Sequence, residues 1–392
     1  MQLITTTDAL AAFCERLATA EFVTVDTEFM RERTYWPQLC LAQVGGPDEA
    51  AAIDSLAPGI DLAPFFALLD NPTVLKVFHA ARQDLEIFLK LTGRLPTPIF
   101  DTQVAAMVCG FGDQVAYDTL AAKLAKARID KSSRFTDWAR RPLSDKQLHY
   151  ALSDVTYLRV VYERLRDKLA KTGRDRWIDE EMAILREPGT FRVEPEDAWR
   201  RLKPRNPSPR MMVLIRELAD WREREAQRVN VPRQRILRDE QLMEIASHTP
   251  TSVEQLATTR GIGRGFVEGK QGRAVLDAVE RALAVPEADL PPRERPAENL
   301  RAPGAVVDLL KVLLRLRCDA DGVATRLVAS SDDIDRLAAG KRDVPCLSGW
   351  RHEIFGRDAL RLMGGELAVG LDGDRIRLIE AARRTAAEVE TG

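Results

Sequence analysis

Proline removes a backbone donor and locks φ, so a cluster of prolines ends any long helix or central strand. This chain of 392 residues carries two such clusters. Residues 187–209 hold Pro188, Pro195, Pro204, Pro207 and Pro209, and residues 285–303 hold Pro286, Pro291, Pro292, Pro296 and Pro303. They divide a length too great for one ordinary core into three globular portions. Before the first break, short β-branched runs alternate with helical periodicity, the pattern of an α/β domain. Residues 210–285 and 304–380 read as helical throughout. The expected organisation is an α/β domain over 1–187, a basic proline-rich linker over 188–209 with little regular structure, and a small all-α module over 210–285. A second linker over 286–303, a second all-α module over 304–380 and a tail over 381–392 complete it. The two helical modules are similar in length, which suits a diverged repeat.

Composition narrows the class. Hydrophobic residues make up 45% and charged residues 30%, as in soluble globular proteins, and the formal net charge is −2. Five scattered cysteines (Cys14, Cys40, Cys109, Cys318, Cys346) contain no Cys-x-x-Cys pair. A disulfide framework or zinc finger is therefore not expected, and a reducing cytoplasm is. The N-terminal residues lack the basic start and apolar core of a signal peptide, and no apolar run is long enough to span a bilayer. Neither a membrane partner nor a nucleotide cofactor is expected, and a monomer is the default.

The chemistry starts at Glu21–Phe29, an alternating, β-branched stretch that reads as a strand. Residues i and i+2 of a strand share a side, so Asp26 and Glu28 aim two carboxylates at one spot. Carboxylates that close raise each other's pKa unless a cation lies between them, and a hard divalent metal suits oxygen donors. Asp-x-Glu alone is a weak pattern. Asp179 and Glu181 repeat it in a charged helical run, where it reads as a solvated face.

Two further places supply partners. In His79-Ala80-Ala81-Arg82-Gln83-Asp84 a strand ends and a helix begins, with Leu85, Phe88 and Leu89 as its core stripe and Asp84 in its first turns. Taken alone, Asp84 is equally a helix-start acid favoured by the dipole. Around Leu148, Leu152, Val155 and Leu158, a second helical face carries Tyr150 and Asp154, four residues apart. A covered aspartate requires a cation or donors, and a tyrosine–aspartate hydrogen bond within a core is the plainer account. Together, four acids and a tyrosine suit two-metal phosphodiester hydrolysis, with the phenol orienting the attacking water.

The order Asp-x-Glu, Asp, Tyr-x-x-x-Asp resembles the three-motif signature of DEDD exonucleases, in the tyrosine subclass. Val25-Asp26-Thr27-Glu28-Phe29, Phe78-His79-Ala80-Ala81-Arg82-Gln83-Asp84, Phe100-Asp101-Thr102-Gln103, Asp130-Lys131-Ser132, Thr136-Asp137-Trp138 and Arg141-Pro142-Leu143-Ser144 are all similar to the ribonuclease D family. Ser252–Ala257 with Arg260-Gly261-Ile262-Gly263 resembles the HRDC domain (helicase and RNase D C-terminal). The resemblance implies a ribonuclease H-like mixed sheet flanked by helices, followed by two small all-α HRDC-type domains. It implies 3′ to 5′ exonucleolytic release of nucleoside 5′-monophosphates from structured RNA such as tRNA precursors. It also implies Asp26, Glu28, Asp84 and Asp154 as ligands of two Mg²⁺ or Mn²⁺ ions, and Tyr150 as the residue that positions the nucleophile. One departure is Ala116 before Tyr117, where the family pattern has glycine.

Substrate-binding candidates are Phe29 and Met30 as a wedge or stacking pair, and His79 and Gln43 at the cleft. Lys131 and Arg134 are candidates on phosphates, and Gly261 and Gly263 in a phosphate-facing turn. Each also has a purely structural reading: core, solvated charge or helix–helix turn. Between Arg200 and Arg238, twelve basic residues stand against four acids, a surplus that suits a phosphate-tracking surface beyond what helical ion pairing explains. Two alternatives remain open, the same chemistry on DNA and a non-catalytic RNA-binding adaptor.

Overall fold

The computed structural model of the protein describes residues 2–292 and 303–381. The middle of the second linker, with Pro296, and the expected tail beyond Ala381 lie outside the described residues. The first domain runs β1 (Gln2–Ile4), α1 (Thr7–Leu17), β2 (Phe22–Met30), β3 (Gln38–Gly45), β4 (Ala50–Ile53), α2 (Ala63–Asp70), β5 (Leu75–Phe78) and α3 (Arg82–Thr92). β6 (Ile99–Asp101), α4 (Thr102–Val108), α5 (Tyr117–Leu120), α6 (Asp145–Thr172) and α7 (Asp175–Leu185) follow.

Its six strands lie in the order β1-β4-β3-β2-β5-β6. Short connections make β2, β3 and β4 an antiparallel meander, whereas the crossovers through α2 and α3 bring β5 and β6 in parallel. Helices cover both faces. On β2, Val23 and Val25 point into a core with Leu10, Phe13, Phe65, Leu85 and Phe88, from α1, α2 and α3. Phe22 points the other way, to Ala105, Leu158, Val161 and Met182 of α4, α6 and α7. The period-2 alternation thus serves two cores, and β2 lies at the centre of the sheet.

The second module contains α8 (Pro209–Val229), α9 (Arg233–Ile236), α10 (Asp239–His248), α11 (Val253–Ala257), α12 (Arg264–Val267) and α13 (Lys270–Ala284). The first linker is more ordered than its prolines imply. Pro188 and Pro195 each open a 3₁₀ turn, the position where a missing N–H costs nothing, and Ala198 and Leu202 are buried in the second module's core.

The third module contains α14 (Gly304–Asp321), α15 (Thr325–Val328), α16 (Ser331–Ala338), α17 (Gly349–Arg351) and α18 (Arg357–Met363). It departs from the all-helical expectation by ending in a hairpin, β7 (Leu367–Asp372) and β8 (Arg375–Glu380). Gly373, at φ 62°, supplies the turn, and the alternating Arg375-Ile376-Arg377-Leu378 is a strand pattern. This module docks on α7. Trp177 stacks on Trp350 with ring centroids 4.6 Å apart, and Arg351 pairs with Glu181. The solvated face expected at Asp179 and Glu181 holds for the exposed Asp179 and is corrected at Glu181, which is buried because the third module covers it.

Candidate active site

β2 delivers the first two acids. Thr24, Asp26 and Glu28 share the face toward α6, where the Thr24 hydroxyl donates to the Val155 carbonyl at 2.8 Å. The pairing with β3 slips between Glu28 and Phe29: Glu28 faces Leu41 but Phe29 faces Leu39, leaving Cys40 as the extra residue. Such a bulge re-aims side chains at the end of a strand. Past it, Phe29 and Met30 line the cleft, Met30 against the Trp138 cluster and Phe29 at the edge of the main core.

Asp84 depends on a turn that is held from outside. Ala80 adopts φ 59°, a left-handed conformation that a β-carbon disfavours. The buried Asp101 carboxylate compensates by accepting from Ala80 N–H at 3.0 Å and Ala81 N–H at 2.8 Å, and it caps α4 by accepting from Gln103 N–H at 2.8 Å. The Thr102 hydroxyl donates to the Phe78 carbonyl at 3.0 Å, so its oxygen is free to accept from His79 Nδ1 at 3.0 Å. His79 is thereby anchored, although one side of it still forms cleft wall. α3 then starts with Asp84 buried, its carboxylate accepting a short hydrogen bond from the Thr27 hydroxyl on the opposite face of β2.

Asp154 and Tyr150 come from α6, a 28-residue helix begun by a capping box in which Ser144 and Gln147 satisfy each other's backbone. Arg141 fixes the preceding loop. It donates to both Asp54 oxygens at 2.8 and 2.6 Å and to the carbonyls of Trp138 and Cys40 at 2.6 and 2.7 Å. Trp138 in turn lies under Tyr150, ring centroids 6.2 Å apart.

The acids converge. Asp26, Glu28 and Asp154 each bring a carboxylate oxygen within 4.8 Å of the others. At that separation two full charges repel by about 3 kcal/mol at an effective dielectric of about 20. Burial and mutual repulsion accordingly push Glu28 up to about 10 and hold Asp26 well above the carboxylate range. Asp154 rises to about 7, chiefly by burial. Asp84 is not one of the three, but burial and the nearby Asp26 raise it as well. Tyr150 is held protonated, first by burial and then by the fields of Asp154, Glu28 and Asp26. A carboxylate cluster so far from charge balance, built of hard oxygen donors, fits divalent cations.

These groups lie in a cleft of about 1150 Å³, above the ~300–1000 Å³ usual for small-molecule pockets. Lys131 and Arg134 line it. Lys131 is paired with Asp118 at 2.7 Å, whereas the positive charge of Arg134 reaches Glu28 and Asp154. Gln43 is corrected: it is fully buried opposite Asp26, beneath α6, and does not line the cleft. Its amide has no hydrogen-bond partner among the described residues. Gly261 and Gly263 lie outside the cleft, in the turn before α12, where Gly261 adopts φ 77° and its carbonyl accepts from Gln241 at 2.6 Å. Ala116 takes an extended φ of −72°, so alanine fits there without strain.

Sequence reasoning missed several lining residues. Tyr117 is half-buried, near enough to Asp154 and Asp26 to feel their fields, Phe135 is 90% exposed at the rim, and Arg31 and Arg33 follow the catalytic strand. An aromatic beside Arg134 was the one available signal for Phe135. The basic surplus is also smaller than it reads. Arg200, Arg222, Arg224, Arg228 and Arg233 are all in ion pairs, three of them drawing on Asp197, Asp239 and Glu196, which fall outside the counted window.

Comparisons with known proteins point to one family. A family profile described as a 3′-5′ exonuclease matches residues 1–170, and one described as an HRDC domain matches residues 211–279. Ribonuclease D of Acidiphilium cryptum is 57% identical over 379 residues, covering 96% of this chain and 97% of the relative. Ribonuclease D of Zymomonas mobilis is 43% identical, covering 96% and 97%. The crystal structure of Escherichia coli RNase D, an exoribonuclease involved in structured RNA processing, superposes with a TM-score of 0.80 at 31% identity over 93% of this chain and 98% of that one.

Proposed function

Because the chain belongs to the ribonuclease D family, we propose that its acidic cleft removes 3′-terminal nucleotides from structured RNA, tRNA precursors among them. The protein is a 3′-5′ exoribonuclease that uses divalent metal. The observation that carries the site assignment is the convergence of Asp26, Glu28 and Asp154 within 4.8 Å, with Asp84 beside them and Tyr150 overhead.

In this reading Asp26, Glu28, Asp84 and Asp154 would hold two ions, Mg²⁺ or Mn²⁺. When bound, the ions stabilise charge on the attacking and leaving oxygens of an in-line displacement. Water adds to the terminal phosphorus and the bond to the 3′ oxygen of the preceding nucleotide breaks, which frees a nucleoside 5′-monophosphate. Tyr150, held as a neutral phenol, orients that water by hydrogen bonding rather than acting as a resident base. Thr27 keeps the Asp84 carboxylate turned toward the site. Arg134 supplies the positive charge that meets the scissile phosphate, and Phe29, Met30 and Phe135 offer apolar surface to the last bases.

The domain division expected above supports a catalytic unit over 1–187 and helical modules that grip structured RNA. The five cysteines are buried and unpaired, which fits a cytoplasmic location. Among the described residues no helix is long and apolar enough to cross a membrane.

The test is incubation of 3′-extended tRNA precursors with and without chelator, with product identification. Stepwise release of 5′-monophosphates that stops on chelation is expected. Asp26→Asn should abolish turnover while RNA binding survives; activity in that variant would overturn the metal assignment. Matched RNA and DNA oligomers with recessed 3′ ends address the substrate, and equal or faster loss of DNA would reject RNA.

A further inference from the structure

The segment after the catalytic strand belongs to two domains at once. Arg31, Glu32, Arg33 and Thr34 line the cleft immediately beyond Met30. The next two residues leave it and pack on the second module: Tyr35 is buried with Ala226 and Ile236, and Trp36 and Trp221 close the same cluster. The Tyr35 hydroxyl donates a short hydrogen bond to Glu223 of α8, 188 residues away in sequence. Glu223 is fully buried, and its Oε1 also accepts from Arg233 at 3.1 Å. Gln227 Nε2 donates to the Tyr35 hydroxyl at 3.3 Å and to the Val193 carbonyl at 3.2 Å, so the linker joins the same network. The Trp36 backbone N–H donates to Asn230 Oδ1 at 3.0 Å, where α8 ends in a left-handed residue.

On its other side the segment is tied to α3, the helix of Asp84. Arg31 binds Glu86 through two hydrogen bonds of 2.8 Å, and the Lys90 ammonium lies 3.9 Å from the centre of the Trp36 ring. A buried carboxylate requires donors, and Glu223 has two, the Tyr35 hydroxyl and Arg233, both on Oε1, while its Oε2 has no partner among the described residues; the Tyr35 contact is therefore one of the two bonds that hold this carboxylate at the interface. A cleft rim suspended between two such anchors takes its position from both.

We propose that the first helical module forms part of the catalytic cleft's construction: through Glu223 and Tyr35, α8 positions the Arg31–Thr34 rim that receives the RNA strand. Tyr35 and Glu223 are positioning residues, since neither touches the reacting atoms. The module therefore affects substrates too short to reach its own surface. The inference rests on the RNA-cleaving reading above and fails separately from it.

The experiment uses full-length protein and a trinucleotide RNA. Tyr35→Phe keeps the ring packing and removes the donor. The expected result is a rise in trinucleotide KM of threefold or more with kcat within twofold, because the acids on β2 stay held by the sheet. Glu223→Leu should match it, the double variant should be no worse than either, and Glu223→Gln, which keeps an acceptor for the hydroxyl, should restore KM to near the wild-type value. If Glu223→Leu does not fold, Tyr35→Phe and Glu223→Gln carry the comparison. Wild-type trinucleotide KM in Tyr35→Phe, with wild-type protein active, overturns the proposal. A defect confined to long structured RNA also overturns it, since that marks a module that only grips RNA.

Discussion

Asp101→Asn isolates the device that aims Asp84. Asparagine retains Oδ1 for the Ala80 and Gln103 amides and is as good a helix cap as aspartate, so α4 keeps its start. Only the Oδ2 side changes: an NH₂ group now confronts the Ala81 N–H that had donated at 2.8 Å. Ala81 is fully buried, so no water substitutes. A hydrogen bond to a charged acceptor is worth ~1.5–3 kcal/mol, and a buried donor left unpaired costs ~1–3 kcal/mol. These figures overlap, and a loss of about 3 kcal/mol is expected. At roughly 2–4 °C per kcal/mol for a domain of this size, Tm falls by about 6–12 °C. Ala80, at φ 59°, then relaxes and carries the start of α3 with it. Displacing a reactive group by about 1 Å costs on the order of 10²-fold. Thermal unfolding and turnover of a short RNA over a Mg²⁺ series measure both effects, and kcat should fall about 10- to 100-fold with a higher half-saturating ion concentration. A lowered Tm with undiminished kcat at 25 °C would refute the claim that Asp101 acts through Asp84.

Removing divalent ions should make stability depend on pH. Asp154 titrates at about 7 in the folded chain against an ordinary value of 3.8, so the folded state takes up the proton more readily. Its contribution is full below about pH 4 and is lost as pH rises through 7. The ion-free protein should therefore lose Tm from pH 5 to 8, and the gain on adding Mg²⁺ should widen over the same range; a gain constant with pH would contradict the burial of these acids. Tyr150→Phe keeps the packing on Trp138 and should lower kcat by about 10²-fold or more with little change in KM, since positioned proton-bridging groups contribute ~10²–10⁴. Full activity would exclude the phenol from the reaction. Phe135→Ala should raise KM for single-stranded 3′ ends by about fivefold or more, as loss of one stacking surface costs ~1–3 kcal/mol, with Tm unmoved because the ring is 90% exposed. An unchanged KM would remove Phe135 from the substrate path.

The residue pattern alone led to the expectation of a three-part organisation, because proline's missing donor acts locally wherever the chain folds. It also determined that Asp26 and Glu28 share a side of a strand and that Tyr150 and Asp154 share a side of a helix, since both follow from backbone periods of 2 and 3.6. Where it went astray, the deciding partner was remote. Gln43 alternates like a cleft residue, yet α6 from a hundred residues later covers it. Glu181 looks solvated until the third module places Arg351 on it. Three of the eight surplus charges between Arg200 and Arg238 are paired with Asp197, Asp239 and Glu196, acids just beyond that window. The words around Asp101 and Arg141 were recognisable before their purpose was. Only the folded chain connects Asp101 to the Ala80 turn, Arg141 to Asp54, and Tyr35 to Glu223. Backbone periodicity reports which way a side chain points; what it meets there is set by long-range packing, which no local pattern encodes.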